Sequence, residues 1–490
     1  MTSEQTATSS AGVDARVSGN GDVSAPSAPR VAHPDLSTRA ASGRAERTTV
    51  PRSAHAQWEP TAERLDPLAI LETQEGSRVK DLVPIRHERM LSSAFAFYRG
   101  AAAVMASDLS QTPTTNLHVQ LCGDAHLANF GGFASAERQL VFDINDFDET
   151  NPGPFEWDVK RLAASFEIAG RSRNFSKKRC RELALLSARA YRTAMANFAT
   201  MSNLDKWYAN LDIDTILEHW RTEVASEEVE RLEGLRDKAV SKDRMKAFAK
   251  LTEVVDGEHR FVSDPPLVLP LRDIVGGDDL ESLREWIESR YRIYRHTLQP
   301  DRRHLLESYR IVDMARKVVG VGSVGTRCWV IFLLGKDEGD PLFLQVKEAP
   351  KSVLEPFTRA SGYGNSGQRV VEGQRLLQAS SDILLGWLHS PTFDDGIERD
   401  YYVRQLWDWK VSPNLERMSN PVMKIYAEMC GWTLARGHSR SGDCVAIASY
   451  LGTGDIFDGA IADFASAYAD QNDADFARMQ AAHAAAAGTN

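Results

Sequence analysis

Cysteine is scarce in this chain. The five present, Cys122, Cys180, Cys328, Cys430 and Cys444, are odd in number and form neither a C-x-x-C pair nor a Cys/His spacing that would hold zinc. A disulfide-stapled scaffold is therefore not expected, and a reduced, cytoplasmic setting is. Long apolar runs are missing too. Nowhere do about 18 apolar residues follow one another, and no charged start leads into an apolar stretch, so neither a membrane span nor a secretory signal is expected. Positive charge is in deficit: 58 Lys and Arg face 68 Asp and Glu, a formal net charge of -10. That balance argues against a nucleic-acid binder that works by neutralising phosphates. Finally, Met1 to about Ala56 has no aromatic residue and few large aliphatic ones, a composition that cannot offset the entropy of ordering. Residues 1–57 are expected to be a disordered tail.

What is present is enough apolar material for a substantial core: 42% of 490 residues, a length that allows two or more domains. Met90 to Leu109 has the periodicity of a packed helix. Leu117 to Leu121 and Leu140 to Ile144 are β-like, with the polar, Gly-rich Gly131 to Gln139 turning between them. From Trp157 to about Leu251 the pattern is helical, including Asp158 to Ala169 and Glu223 to Lys250. After Ile311, Cys328 to Leu334 and Leu342 to Val346 read as an antiparallel pair, Gln368 to Ala379 as a helix, Tyr401 to Leu406 as a strand, and Pro421 to Ser439 and Ile456 to Ala487 as helices. The fold class is α+β, with a helical lobe at 58–310, a sheet lobe at 311–410 and helices returning at 411–490.

Two clusters carry chemistry. The first is Gly123-Asp124-Ala125-His126-Leu127-Ala128-Asn129, followed beyond the hairpin by Asn145-Asp146-Phe147-Asp148-Glu149. Phosphoryl transfer needs a carboxylate to take the nucleophile's proton and oxygen ligands for Mg2+. The spacing D-x-x-x-x-N from Asp124 to Asn129, with a second Asp opening a D-F-D segment, meets that need. The plain structural alternative, a turn whose Asp and Asn cap a helix, leaves the downstream acidic cluster unaccounted for. A metallophosphoesterase would require further His and Asp motifs that the sequence lacks.

The second cluster is Gly320-Val321-Gly322-Ser323-Val324-Gly325, followed by strands ending at Lys347. Alone, G-x-G-x-x-G is weak and fits an ordinary turn. A dinucleotide fingerprint should open a helix, whereas Arg327 to Leu334 reads as a strand, so a kinase-type glycine loop over ATP phosphates is the better template, with Lys347 as its lysine. Glu372 on the next helix is then the expected partner of Lys347, ahead of Glu348, and Tyr402 to Leu406, including Gln405, leads into the adenine-contacting segment.

The form G-D-x-H-x-x-N resembles the aminoglycoside phosphotransferase and choline kinase branch of protein-kinase-like enzymes. The resemblance implies a two-lobed fold with Asp124 as catalytic base, His126 near the transferred phosphate, Asn129 and Asp146 on the metal, and Gly320, Gly322, Ser323, Gly325, Lys347, Glu372 and Gln405 on the nucleotide. Asp143 is the alternative metal ligand if the hairpin register shifts. Asp158 matches the Asp that steadies the catalytic loop from the following helix, with an N-cap as its alternative. Arg86, Arg89 and Arg99 read as solvated helix arginines, or as binders of an anion. Trp407 and Trp409 read as packing residues.

A kinase presents its glycine loop before its catalytic loop; here the order is inverted. The expectation is a circularly permuted kinase-like fold whose nucleotide lobe follows the helical lobe in sequence. In it Tyr426 to His438, ending in L-x-x-x-H, resembles the helix that leads into a catalytic loop; the alternative is Ala94 to Leu109 in that place. Taken together, RHERM, FYRGAA, GDAHLANFG, FDINDFDET, WDVKRLAAS, VVGVGSVGTR, QVKEA and RVVEGQRLLQ resemble the bacterial family called domain of unknown function 2252, from about Arg64 to the C-terminus. The expected activity is an ATP- and Mg2+-dependent phosphotransferase acting on a small hydroxyl-bearing molecule, with no nucleic-acid or membrane partner. AMP transfer to a protein and a non-catalytic nucleotide-binding module are the alternatives.

Overall fold

Phe155–Ser172 is a helix buried along its whole length from Phe155 to Gly170. Its charged residues tolerate this because they find partners inside: Glu156 accepts from Thr115, Lys160 donates to Thr112, and Asp158 and Arg161 serve a loop described below. The computed structural model describes residues 33–213, 234, 244–274, 280–392, 395–406, 409 and 414–487. Among these, the buried helix is packed by Lys177–Thr200, Asn420–Ser441 and Ile456–Ala487. No helix among the described residues is long and apolar enough to cross a membrane.

Short strands sit on this helical body. In chain order they are β1 (His118–Leu121), β2 (Phe130–Ala134), β3 (Leu140–Ile144) and β4 (Asn151–Pro154). β1 pairs antiparallel with β4 rather than with β3; the hairpin partner of β3 is β2, which occupies the first part of the Gly131 to Gln139 segment expected to be a turn. A two-residue strand, β5 (Leu211–Asp212), covers the other edge of β3.

The second half is an antiparallel sheet. After the hairpin of β6 (Thr252–Val255) and β7 (Glu258–Phe261) come β8 (Val268–Pro270), β9 (Arg310–Lys317), β10 (Cys328–Leu334), β11 (Pro341–Glu348), β12 (Gly386–Pro391) and β13 (Glu398–Gln405). The sheet order is β12-β13-β11-β10-β9-β8. Strand alternation divides its faces. Leu342, Leu344 and Val346 pack with Tyr291 and Tyr294 of the helix Leu280–His296, while Gln345 and Lys347 point to the face turned toward the helical body.

Several expectations change. The tail does not extend to residue 57: Leu36–Thr49 is a helix, N-capped by Asp35, and Arg52–Ala56 is a 3-10 turn. Their order comes from arginines: Arg39 pairs with Asp443 at 2.8 Å, and Arg47 and Arg52 donate to the carbonyls of Tyr450 and Leu451. Residues 1–32 lie outside the described residues. Met90 to Leu109 is not one helix but the end of Val83–Leu91 followed by two short helices, Ala94–Gly100 and Ala102–Leu109, because Ser93 caps a new start and Ala101 leaves helical geometry. The sheet lobe begins before residue 311, since β8 and Leu280–His296 both belong to it. Most of Glu223 to Lys250 lies outside the described residues, which resume with the helix Arg244–Leu251.

Candidate active site

The loop Cys122 to Asn129 joins β1 to β2 and is fixed from beneath. Asp158, one turn into the buried helix, accepts from the backbone N–H of Cys122 at 2.8 Å and of Gly123 at 3.1 Å. It is no N-cap; Pro154 holds that position. His438 stands 3.2 Å from the same carboxylate and 2.9 Å from the Tyr191 hydroxyl. Ser165 accepts from Leu127 N–H, and Tyr426 donates to the Leu127 carbonyl. Gly123 has φ +87°, and a Cβ there would meet the Glu149 carbonyl at 2.2 Å, so no other residue fits. The helix Asn420–Ser441 ends against β1: Ser441 Oγ accepts from Gln120 N–H, and Gly442 lies on His118 and Val119.

Within this loop Arg161 grips one oxygen of Asp124, its Nη2 2.6 Å and its Nε 2.8 Å from Oδ1. The other oxygen lies 3.6 Å from His126 Nε2. His126 is buried, edge-on to Phe95. Burial, reinforced by Arg99 and Arg161, pushes its pKa well below the usual histidine value, so it stands as a neutral ring. Asn129 gives its amide N–H to the Asp124 carbonyl at 2.9 Å, which leaves its amide oxygen as the atom able to bind a cation.

The hairpin delivers three more carboxylates. Asp143 is used up inside the protein by Arg436 at 2.6 Å and by the N–H groups of Ile144 and Ala379. Asp146 instead lines the cleft, accepting Asp148 N–H at 3.1 Å. Burial and the neighbouring Asp148 charge raise its pKa against the pull of Lys347 and Arg404. Asp148 forms an ion pair with Lys347 and accepts from the Tyr402 hydroxyl at 2.7 Å. Burial opposes its charge, but Lys347 and these hydrogen bonds outweigh it and hold its pKa below the carboxylate norm. Burial likewise opposes the Lys347 ammonium, and Asp148, Tyr402 and Asp146 together raise its pKa above the ordinary lysine value.

Lys347 is therefore not paired with Glu372, which instead meets Arg375 at 3.2 Å along its own helix. That helix, Ser366–Leu377, serves the site through Arg369, which donates to the carbonyls of Thr150, Asp148 and Pro350. Glu348, on the opposite face of β11 from Lys347, pairs with Arg327 and Arg399 and lines the second cavity described below.

The glycine loop joins β9 to β10. Arg89 donates to the Gly320 carbonyl, Arg78 to that of Val324, and Val79 N–H to that of Gly325. A Cβ on Gly322 would stand 3.1 Å from the Arg99 carbonyl, so glycine here lets the loop settle on the Ala94–Gly100 helix. Ser323 Oγ lies 3.4 Å from Asp148. Arg86, by contrast, is buried beneath, donating to Glu75, Gln74 and the Gly100 carbonyl.

Two cavities meet at Asp146, Gly320 and Ser323. The first, about 350 Å3, lies between sheet and body and is lined by Lys317, Lys347, Arg138, Arg404, Gln345 and Gln405 among others. The Gln405 N–H is already given to the Asp382 carboxylate. The second, about 340 Å3, contains Asp124, His126, Asn129, Glu149, Arg78 and Arg99. Trp409 is stacked by Arg138, 4.2 Å from the ring centre; Trp407 lies outside the described residues.

A comparison with protein-family models matches residues 78–482 to the family described as an uncharacterized protein conserved in bacteria, DUF2252. The chain belongs to that family. No curated protein and no solved structure matches it. In this DUF2252 chain the structure brings together Asp124, His126, Asn129, Asp146, Gly320, Gly322, Ser323 and Lys347. Gln405 lines the first cavity, while Glu372 stays outside the cluster. Gly325 sits at the loop's far end against Arg78. Sequence reasoning missed Asp148 as the lysine's partner, together with Tyr402, Arg161 and Arg369. Only Tyr402 carried a local signal, as the residue that a paired strand would set directly beside Lys347.

Proposed function

We propose that this chain is an ATP- and Mg2+-dependent phosphotransferase with a permuted kinase-like architecture, acting on a small hydroxyl-bearing molecule. The observation that carries the proposal is the Lys347–Asp148 contact, which joins residues 199 apart and sets the glycine-loop half of the site against the Asp124 half. The strand order adds support: a glycine loop joins β9 to β10, and Lys347 lies near the end of β11, the third strand, as in the kinase template. The ending of Asn420–Ser441 against β1 is the arrangement that a permuted order requires.

In this mechanism the first cavity takes the nucleotide, with Lys347, Lys317 and Arg404 meeting phosphate charge. Asn129, through its amide oxygen, and Asp146 would hold Mg2+, whose contribution is to neutralise charge on the phosphates. Arg161 keeps Asp124 oriented with Oδ2 toward the second cavity. There Asp124 takes the acceptor's hydroxyl proton as the new O–P bond forms, and the bond from the γ-phosphorus to the nucleoside diphosphate breaks.

The test is a thermal-shift titration with ATP, GTP and Mg2+. ATP with Mg2+ should raise the melting temperature of the wild type by mass action. Asp146→Asn should remove the metal dependence, and Lys347→Ala most of the shift. No shift at saturating nucleotide would end the proposal. ATP labelled separately at its α and γ phosphates distinguishes phosphoryl from AMP transfer.

A further inference from the structure

The second cavity holds an imbalance that the phosphotransferase proposal does not use. Most of its acids are matched. Asp124 is held by Arg161, Asp148 by Lys347, and Glu348 by Arg327 and Arg399. Glu149 accepts Val353 N–H at 2.7 Å, and burial pushes its pKa up to about 7. Asp146 is the acid left for a metal. The cations are not all matched. Among the described residues neither Arg78 nor Arg99 has a carboxylate within ion-pair distance, and the Nε of each is buried with no hydrogen-bond acceptor. Arg78 gives one terminal N–H to the Val324 carbonyl. The Arg99 guanidinium lies over the Phe95 ring, 6.0 Å from its centre. Burial lowers the pKa of both guanidiniums, against the more distant pull of Asp124 and Asp146 on Arg99 and of Glu149, Glu75, Glu348 and Asp148 on Arg78.

Two half-buried guanidiniums beside the Asp124 carboxylate form a receptor for an oxyanion, because charge-assisted, fork-shaped hydrogen bonding is what guanidinium offers. Resting on the phosphotransferase reading, we propose that the acceptor is itself an anion: a small hydroxyl-bearing phosphate or carboxylate, anchored by Arg99 with Arg78 in the Asp124 cavity. The anchor lies in the same cavity as Asp124, on the Asp124 side of the boundary formed by Asp146, Gly320 and Ser323, so a ligand held there has its hydroxyl within the cavity that Asp124 lines.

Calorimetric titration of the full chain with glycerol 3-phosphate, glycerate, glycerol and, separately, ATP with Mg2+ tests this. The two anions should bind better than glycerol, and the preferred one identifies the anionic group. Arg99→Gln should weaken anion binding about tenfold or more and leave ATP binding within about twofold of wild type. Arg99→Lys, which keeps charge without the fork, should fall between; with an unchanged unliganded melting temperature it controls for misfolding. Lys347→Ala should do the reverse, weakening ATP and sparing the anions. The proposal is overturned if the anions bind no better than glycerol, if Lys347→Ala rather than Arg99→Gln removes them, or if Arg99→Gln weakens ATP equally. If ATP fails to bind while Arg99-dependent anion binding persists, the anion site stands and the phosphotransferase reading falls.

Discussion

The loop carrying Asp124 and the loop from Gly320 to Gly325 face each other across one cleft, yet they are held in different ways. Asp158, Arg161, Ser165 and His438, all buried side chains, grip the first from inside the core. Arg78, Arg89 and Val79 hold the second from outside, through hydrogen bonds to its carbonyls from a segment near the start of the described chain. The position of Asp124 is thus built into folding, whereas the position of the glycine loop is a separate and weaker commitment.

The largest expected effect is chemical. Asp124→Asn should lower ATP turnover, measured as ADP release, by about a thousandfold, while ATP still raises the melting temperature. Asp158→Ala comes next, because two buried N–H groups and His438 lose their acceptor. It should cost about 3 kcal/mol in urea unfolding and abolish turnover as well. Arg89→Ala, on the other side of the comparison, should weaken ATP roughly three- to tenfold while changing unfolding by less than about 0.5 kcal/mol. A stability loss matching that of Asp158→Ala would break the contrast.

The smallest effect concerns Glu149, which lies between the two loops. Its pKa is about 7 in the fold against an ordinary 4.5, so the protonated form favours the folded state. That contribution is full below about pH 4.5 and is lost as pH rises through 7. Glu149→Gln should therefore gain roughly 1 kcal/mol on wild type between about pH 5 and pH 8, measured by denaturant unfolding at each pH.

The parts of the site legible in the sequence are those whose chemistry demands fixed residue types at short spacing. Asp124 to Asn129, Asp146 and the glycine loop with Lys347 are of this kind. β1, β3 and the β10–β11 pair were legible for a similar reason, since an apolar strand is a local pattern, whereas β2, with Gly131 and Gly132, read as a turn. Partners chosen by tertiary packing were not. Glu372 had the position expected of the lysine's partner, but Asp148, arriving from the other half of the molecule, took that place. Arg99 looked like any helix arginine until its surroundings were known. The N-terminal helix was invisible because arginines bonding distant carbonyls leave no hydrophobic signature.

In the chain the sheet lobe falls between β5, which pairs with β3 of the helical body, and the helix Asn420–Ser441. A lobe joined at both ends resembles a drawbridge more than a door, because two covalent connections restrict its travel more than one would. A protease cut at either junction would leave the lobe covalently attached through the other. The cleft would then survive a nick that would sever a lobe joined only once.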